Sequence, residues 1–271
     1  MPAMTALEHV LWIGGASGAG KTTLATRLAR RHGLRWYSAD ARTWDHRDAA
    51  IRAGHEGAIR WEAMSLEERH AVALEEPREL VRLNLDLDRG PMIVDDLRAL
   101  PAAPLVVADG STVLPELVAQ GHAPRDRSVW LVPTFEVHRS YHESNGMAHL
   151  VEYRWYVIQE VERQAAEHDV EVVRIDGTLG AADVLAVVEG LFAEALAAGP
   201  CAETPEERRA LLRWANEEAV RQARAYLARP WSSSDEETFV RPFRCECDDP
   251  ECDEIVQVPV TEYVAGISAH S

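Results

Sequence analysis

Residues 15–22 combine glycines, a lysine and a threonine hydroxyl at spacings that suit the binding of phosphate. Their sequence, Gly-Ala-Ser-Gly-Ala-Gly-Lys-Thr, fits the pattern G-x-x-x-x-G-K-[ST] at every fixed position. Glycines allow the positive φ angles that point successive N–H groups at an anion. Lys21 would reach the β- and γ-phosphates of a nucleotide, and the Thr22 hydroxyl would bind Mg²⁺. Lys21 is also the only lysine of the chain.

The segments on both sides of this loop strengthen the prediction. Residues 9–13 are an apolar run typical of a buried strand, and residues 23–30 carry apolar side chains at helical spacing. A helix that begins at the loop adds unpaired N–H groups and a partial positive charge. We therefore predict that a nucleotide binds at Gly15, Ala16, Ser17, Gly18, Ala19, Gly20, Lys21, Thr22 and Thr23.

Two acids follow predicted strands at the edge of the sheet where ligands bind. Asp40 comes after a strand over residues 34–38, and Asp109 ends the apolar run 105–109. Open α/β sheets bind ligands at the carboxyl ends of their strands. Asp109 is thus predicted to hold Mg²⁺ together with Thr22, the alternative being an acidic turn residue. Four aromatic residues either line an acceptor pocket or belong to the core: Trp36, Tyr37, Trp44 and Trp61.

The wider pattern alternates strands with helices. Further strands are predicted at residues 128–132 and 170–175, with amphipathic helices between the strands and after the last one. This alternation predicts an α/β fold, in which helices cover both faces of a five-stranded parallel sheet. We assign residues 1–199 to this domain.

Residues 8–198 resemble the small P-loop kinases, a group that includes nucleoside monophosphate kinases, shikimate kinases and chloramphenicol phosphotransferase. The glycine loop carries the resemblance most specifically, and the acids at 40 and 109 support it. The resemblance implies that Asp40 contacts the acceptor hydroxyl and acts as its base. It also implies that Arg139 and Arg154, at the positions of the arginines around the family's lid, contact the phosphates. The chain departs from the group in having no arginine between 141 and 151, and in having Arg42 where the shikimate kinases have a second acid.

Residues 200–271 are predicted to form a small helical and cysteine-rich appendage. Thr204 and Pro205 suit the start of a helix that continues to about residue 228. Cys245, Cys247 and Cys252 follow within eight residues, which suits a Zn²⁺ site completed by His270, Asp249 or another residue. The alternative is a small β-hairpin with reduced thiols and no metal.

The charge and the apolar pattern of the sequence limit the kinds of partner and the location that we expect for the protein. The formal net charge is −17, which disfavours the nucleic-acid backbone and anionic membranes as partners. The sequence contains no apolar run long enough to span a membrane and no signal-peptide pattern, so we predict a cytoplasmic protein. The apolar stripe of the 204–228 helix suits either docking within the chain or a dimer, which leaves the oligomeric state open.

Together these features predict an ATP- and Mg²⁺-dependent kinase that phosphorylates a hydroxyl of a small molecule. The alternative is a regulatory module that senses a nucleotide and relays its state to a protein partner through the appendage. The sequence does not specify the acceptor.

Overall fold

Five parallel strands form the central sheet of the computed structural model, which describes residues 6–270. The strands are β1 (Val10–Gly15), β2 (Arg35–Ser38), β3 (Val106–Asp109), β4 (Ser128–Pro133) and β5 (Val172–Ile175). Their order across the sheet is β2-β3-β1-β4-β5. The prediction of a five-stranded parallel sheet is therefore confirmed.

Helices connect the strands and flank the sheet. Their bounds are α1 (Lys21–His32), α2 (Thr43–Arg52), α3 (Glu56–Ala63), α4 (Leu66–Glu75), α5 (Pro77–Leu83), α6 (Gly90–Ala99), α7 (Glu116–Ala119), α8 (Phe135–Ser144), α9 (Val151–His168), α10 (Ala181–Leu191), α11 (Ala193–Ala198) and α12 (Pro205–Leu227). None of the helices within the described residues has the length and apolar character needed to cross a membrane.

The central strand β1 is buried on both faces, because helices pack against each side of the sheet. Leu11 and Ile13 belong to a cluster that includes residues of α1 and α10. Val10 and Trp12 belong to a second cluster, which includes residues of α6. Successive side chains of a strand point to opposite faces, so the continuous apolar run of β1 fits this position.

The register of the sheet brings the predicted site together at one edge. Asp109 at the end of β3 is aligned with Ile13 of β1 on one side and with Ser38 of β2 on the other. The glycine loop, residues 15–22, leaves the end of β1 at the same edge. Since β1 lies between β3 and β4, the loop opens where connections leave the sheet in opposite directions, which is the usual ligand position in such sheets.

The C-terminal region, residues 200–270, packs against this sheet. Thr204 caps α12 through the amide of Glu207, as its sequence predicts. An antiparallel hairpin follows, formed by β6 (Val240–Arg244) and β7 (Ile255–Pro259). Val220 and Ala223 of α12 pack with Phe243 of the hairpin, so the apolar stripe is covered in part within the chain.

Candidate functional site

The glycine loop has the backbone conformation that an anion-binding loop requires. Gly15, Gly18 and Gly20 have φ angles of 117°, 81° and 82°, which other residues rarely adopt. At Gly18 a Cβ atom would lie 2.5 Å from the ring of Tyr141, which covers the loop. Gly20 precedes α1 and provides no side-chain cap, so the N–H groups of the first turn remain available to a ligand.

Lys21 is buried at the base of the loop, with an exposed fraction of only 6%. Its Nζ atom donates a hydrogen bond to the carbonyl oxygen of Ala16 at 2.5 Å. Burial lowers the pKa of Lys21, while the charges of Asp40 and Asp109 oppose that shift. The ammonium group is therefore held by one carbonyl and lies in the field of two carboxylates, largely shielded from bulk water.

Thr22 and Asp109 are in direct contact. The Thr22 hydroxyl donates to Oδ2 of Asp109 at 2.9 Å, and the indole Nε1 of Trp36 donates to Oδ1 at 2.7 Å. Burial raises the pKa of Asp109 to about 6, and the charge of Asp40 adds to this effect. The hydroxyl and carboxylate oxygens are hard ligands of the type that Mg²⁺ prefers.

A cavity of about 540 Å³ lies in front of the loop, and we call it the first cavity. Six residues of the predicted nucleotide site line it: Ser17, Gly18, Gly20, Lys21, Thr22 and Thr23. Ala16 and Ala19 are buried, with exposed fractions of 2% and 5%. Asp40 and Arg154 also line the cavity, so the structure brings these two predicted residues to the glycine loop.

The Asp40 side chain is exposed to this cavity. Asp40 lies in a short 3₁₀ turn after β2, and its carbonyl oxygen accepts hydrogen bonds from Thr43 and Gln222. Within residues 6–270 its carboxylate makes no hydrogen bond and no ion pair. The carboxylate is thus held in place through its backbone and is open to a ligand.

Arg139 does not line the first cavity, contrary to the placement that the resemblance implied. Its side chain is 54% exposed and faces Glu143 at 3.9 Å. His138 and His142 occupy the buried face of α8. Since each residue of a helix is rotated by about 100° from the one before, Arg139 points to solvent.

Arg154 approaches the cavity from α9 and is held by an acid that the sequence did not single out. Its Nη1 atom lies 3.6 Å from Oδ1 of Asp86. Asp86 is almost fully buried and also accepts hydrogen bonds from Tyr153 and Asn84. Burial raises the pKa of Asp86, and the charge of Arg154 opposes that shift. The arginine therefore has a fixed position at the cavity wall.

Arg89 is a second residue that sequence reasoning missed. It lines the first cavity with an exposed fraction of 4% and donates hydrogen bonds to Ala39, Thr43 and His46. These bonds fix the turn that carries Asp40. No motif surrounds residue 89 in the sequence, so no local signal identified it as a site residue.

Cys245, Cys247, Cys252 and His270 form a cluster that is compatible with a zinc ion. Their possible ligand atoms all lie within 4.8 Å of one another, and Sγ of Cys252 is 3.3 Å from Nε2 of His270. The cysteines form no disulfide bond. Three thiols and one imidazole are a common ligand set for structural Zn²⁺. Asp249 is not part of this cluster, since it accepts a hydrogen bond from the amide of Glu251 in its own loop.

The cluster is attached to the helix that begins at the glycine loop. Arg30 of α1 donates to the carbonyl oxygens of Cys245, Cys247 and Asp249. Arg27 of the same helix pairs with Asp253 at 2.5 Å. The hairpin is therefore connected through α1 to the glycine loop.

No protein-family model matches this chain, and no curated protein matches it. The geometry of the first cavity and of the cysteine cluster carries the functional argument.

Proposed function

We propose that the chain is a kinase that transfers the γ-phosphoryl group of ATP to a hydroxyl of a small molecule. The observation that carries this proposal is the Asp40 carboxylate, which has no partner among residues 6–270 and shares one cavity with Lys21 of the glycine loop and with Arg154. Phosphoryl transfer needs little covalent chemistry from a protein. It depends on positioning and on the neutralisation of charge, which these residues can supply.

Each residue has a part in this reaction. The N–H groups of the loop and Lys21 would hold the phosphates, while Arg154 would neutralise charge on the transferred group. Asp40 would orient the acceptor hydroxyl and take its proton. Thr22 and Asp109 would hold Mg²⁺, which supplies Lewis-acid polarisation of the phosphate oxygens when bound. A cytoplasmic location belongs to the same proposal.

The direct test is transfer of the labelled γ-phosphoryl group of ATP, with Mg²⁺ present, to a panel of hydroxylated metabolites, nucleosides and antibiotics. We expect a labelled small molecule whose formation requires both the protein and one acceptor. Release of inorganic phosphate alone, at a rate that no acceptor changes, would contradict the proposal.

The raised pKa of Asp109 predicts a pH dependence of stability. Between pH about 4 and pH about 6 the folded protein keeps a proton on Asp109 that the unfolded chain releases. The contribution of this group to the free energy of unfolding should therefore fall as pH rises through that range. Mg²⁺ binds the ionised form of the Asp109 carboxylate, so the affinity of the site for Mg²⁺ should increase as pH rises over the same range.

Urea unfolding without Mg²⁺, compared between the natural chain and Asp109→Asn, isolates this effect. The difference in stability between the two proteins should change with pH from 4 to 6 and then level off. A difference that is constant from pH 4 to pH 7 would show that Asp109 has an ordinary pKa.

We also propose that Cys245, Cys247, Cys252 and His270 bind one structural Zn²⁺. The support is the convergence of four suitable ligand atoms and the partial burial of the cluster. In this arrangement the metal would hold the hairpin closed beside α1.

Cys252→Ser is expected to weaken zinc binding by more than about 100-fold, because loss of an outer-shell partner alone costs 10- to 100-fold. Since zinc binds the folded state, its loss should also lower the melting temperature. Metal analysis and thermal unfolding measure the two effects. Cys201→Ser is the matched control, because Cys201 is exposed and lies outside the cluster. Equal zinc content in both variants would contradict the proposed site.

A second candidate function is a nucleotide sensor that relays its state through the C-terminal region. The contacts of Arg27 and Arg30 with the hairpin favour it, because they connect the glycine-loop helix to that region. A sensor would bind ATP and change its affinity for a protein partner without phosphorylating a small molecule. The labelling test above distinguishes the two functions.

A further inference from the structure

A second cavity, of about 280 Å³, adjoins the first cavity. It lies between the carboxyl end of β2 and the C-terminal region, with residues of α12 and β6 in its far wall. Thr22 and Asp40 line both cavities. The two spaces therefore meet at the residues that the proposed reaction assigns to Mg²⁺ and to the acceptor hydroxyl.

The second cavity has aromatic walls and a cation that has no hydrogen-bonding or ion-pair partner among residues 6–270. Trp36 and Trp214 both line it, and the guanidinium of Arg244 lies 5.8 Å from the ring centroid of Trp36. Among residues 6–270, no side chain forms a hydrogen bond or an ion pair with that guanidinium. By contrast, Arg42 in the same cavity pairs with Glu218 at 2.8 Å. Arg244 is thus available to an anion from outside the chain.

The backbone that carries Arg244 is fixed from two directions. Asn216 of α12 accepts from the Arg244 amide at 2.8 Å and donates to its carbonyl oxygen at 2.9 Å. The carbonyl oxygen of the next residue, Cys245, accepts from Arg30 of α1. A guanidinium held beside an aromatic ring can bind a carboxylate or phosphate in a defined geometry. Because the guanidinium is already held in place, little side-chain entropy is lost when the anion binds.

We propose that the second cavity is the acceptor subsite, and that it binds a planar ring bearing an anionic group. Arg244 holds the carboxylate or phosphate, Trp36 and Trp214 contact the ring, and the hydroxyl to be phosphorylated faces Asp40. The placement of the acceptor hydroxyl toward Asp40 rests on the proposed kinase function. The binding of an anionic ring in this cavity does not depend on that function. Two of the three residues that bind the ring and its anionic group, Trp214 and Arg244, come from the C-terminal region, outside the segment that resembles known kinases.

Three probes that share one ring test the subsite: benzoate, phenyl phosphate and phenol. Their affinities are measured by calorimetry, with the glycine loop saturated by a non-hydrolysable ATP analogue so that phosphate cannot bind there. We expect the anions to bind more tightly than phenol, and their ratio shows which anionic group the subsite prefers. Arg244→Gln should weaken the binding of the two anions by about 10- to 100-fold, the usual value of a charged hydrogen bond. The affinity for phenol should not change.

Two further variants keep the test decisive if Arg244→Gln lowers stability. Arg244→Lys retains the charge and should retain part of the anion affinity. Arg224→Gln is the matched control, since Arg224 lies on α12, pairs with Glu236 and does not line the second cavity. Equal binding of phenol and the anions, or an Arg244→Gln variant that binds the anions as well as the natural chain, would overturn the subsite.

The same measurement separates this inference from the proposed function. Lys21→Met removes a residue of the proposed transfer reaction but does not alter the second cavity. Binding of the anions by this variant, lost on adding Arg244→Gln, supports the subsite even if the protein transfers no phosphoryl group. Phosphoryl transfer to neutral acceptors alone, at rates independent of Arg244, would instead leave the kinase proposal standing and reject the subsite.

Discussion

Replacement of Lys21 by Met is expected to lower kcat/KM for phosphoryl transfer by about 10²- to 10³-fold, the usual cost of one charge-stabilising donor. The fold should not suffer, because Met has a similar length and the site is buried. Burial already disfavours the lysine charge, as the lowered pKa indicates. We therefore expect a melting temperature at least as high as that of the natural chain.

Steady-state kinetics and thermal unfolding together test this prediction. Thr26→Ala on the same helix is the control, since the Thr26 hydroxyl is exposed and donates only to backbone oxygens of Thr22 and Thr23. It should leave the rate nearly unchanged. If Lys21→Met retained full activity, the proposed role of the loop would be wrong.

A chemical label offers an independent measurement of the same residue. Lys21 is the only lysine, so an amine-directed reagent can react only there or at the amino terminus. The lowered pKa leaves a larger fraction of the amine neutral and therefore nucleophilic. We expect ATP to protect Lys21 from labelling. Equal labelling with and without ATP would mean that the nucleotide does not reach this amine.

Asp40→Asn is expected to lower kcat by about 10²- to 10⁴-fold, the range for loss of a general acid or base. Asn keeps the shape of the side chain but cannot take the proton. Because the Asp40 carboxylate has no partner within residues 6–270, its replacement should not disturb packing. The KM for ATP should change little, since the glycine loop is intact.

The control for this prediction is Asp95→Asn, which alters an exposed acid of α6 that pairs only with Arg98 within the described residues. Asp40→Glu should show a smaller loss than Asp40→Asn, because it retains a carboxylate at a shifted position. If Asp40→Asn kept kcat within about threefold of the natural value, a proton-accepting role would be excluded.

The sequence predicted the parts of the site that depend on local patterns. The spacing of the glycine loop, the apolar runs of the strands and the acids that end them depend on neighbouring residues alone. The parallel sheet then brings Thr22 and Asp109 into contact. A hairpin in the C-terminal region was among the predicted possibilities, and of the residues suggested as a fourth zinc ligand His270 lies beside the three cysteines.

The parts that were missed depend on contacts between distant segments. Asp86 and Arg89 follow α5 in a segment with no motif, and only the folded chain brings them to the cavity. Arg139 was misplaced because the resemblance gives no information on the rotation of α8. The second cavity joins residues near position 40 to residues near position 244, so no local pattern could predict it.

The bonds of Arg30 have a consequence for how the protein folds. Arg30 and Cys247 are separated by 217 positions along the chain. A contact between distant positions costs more loop-closure entropy than a contact between near ones, so it tends to form later in folding. The contact of Thr22 with Asp109 in the proposed nucleotide site spans only 87 positions, so it can form earlier. During refolding we therefore expect nucleotide binding to recover first, and binding of the anionic ring to recover in a later and slower phase.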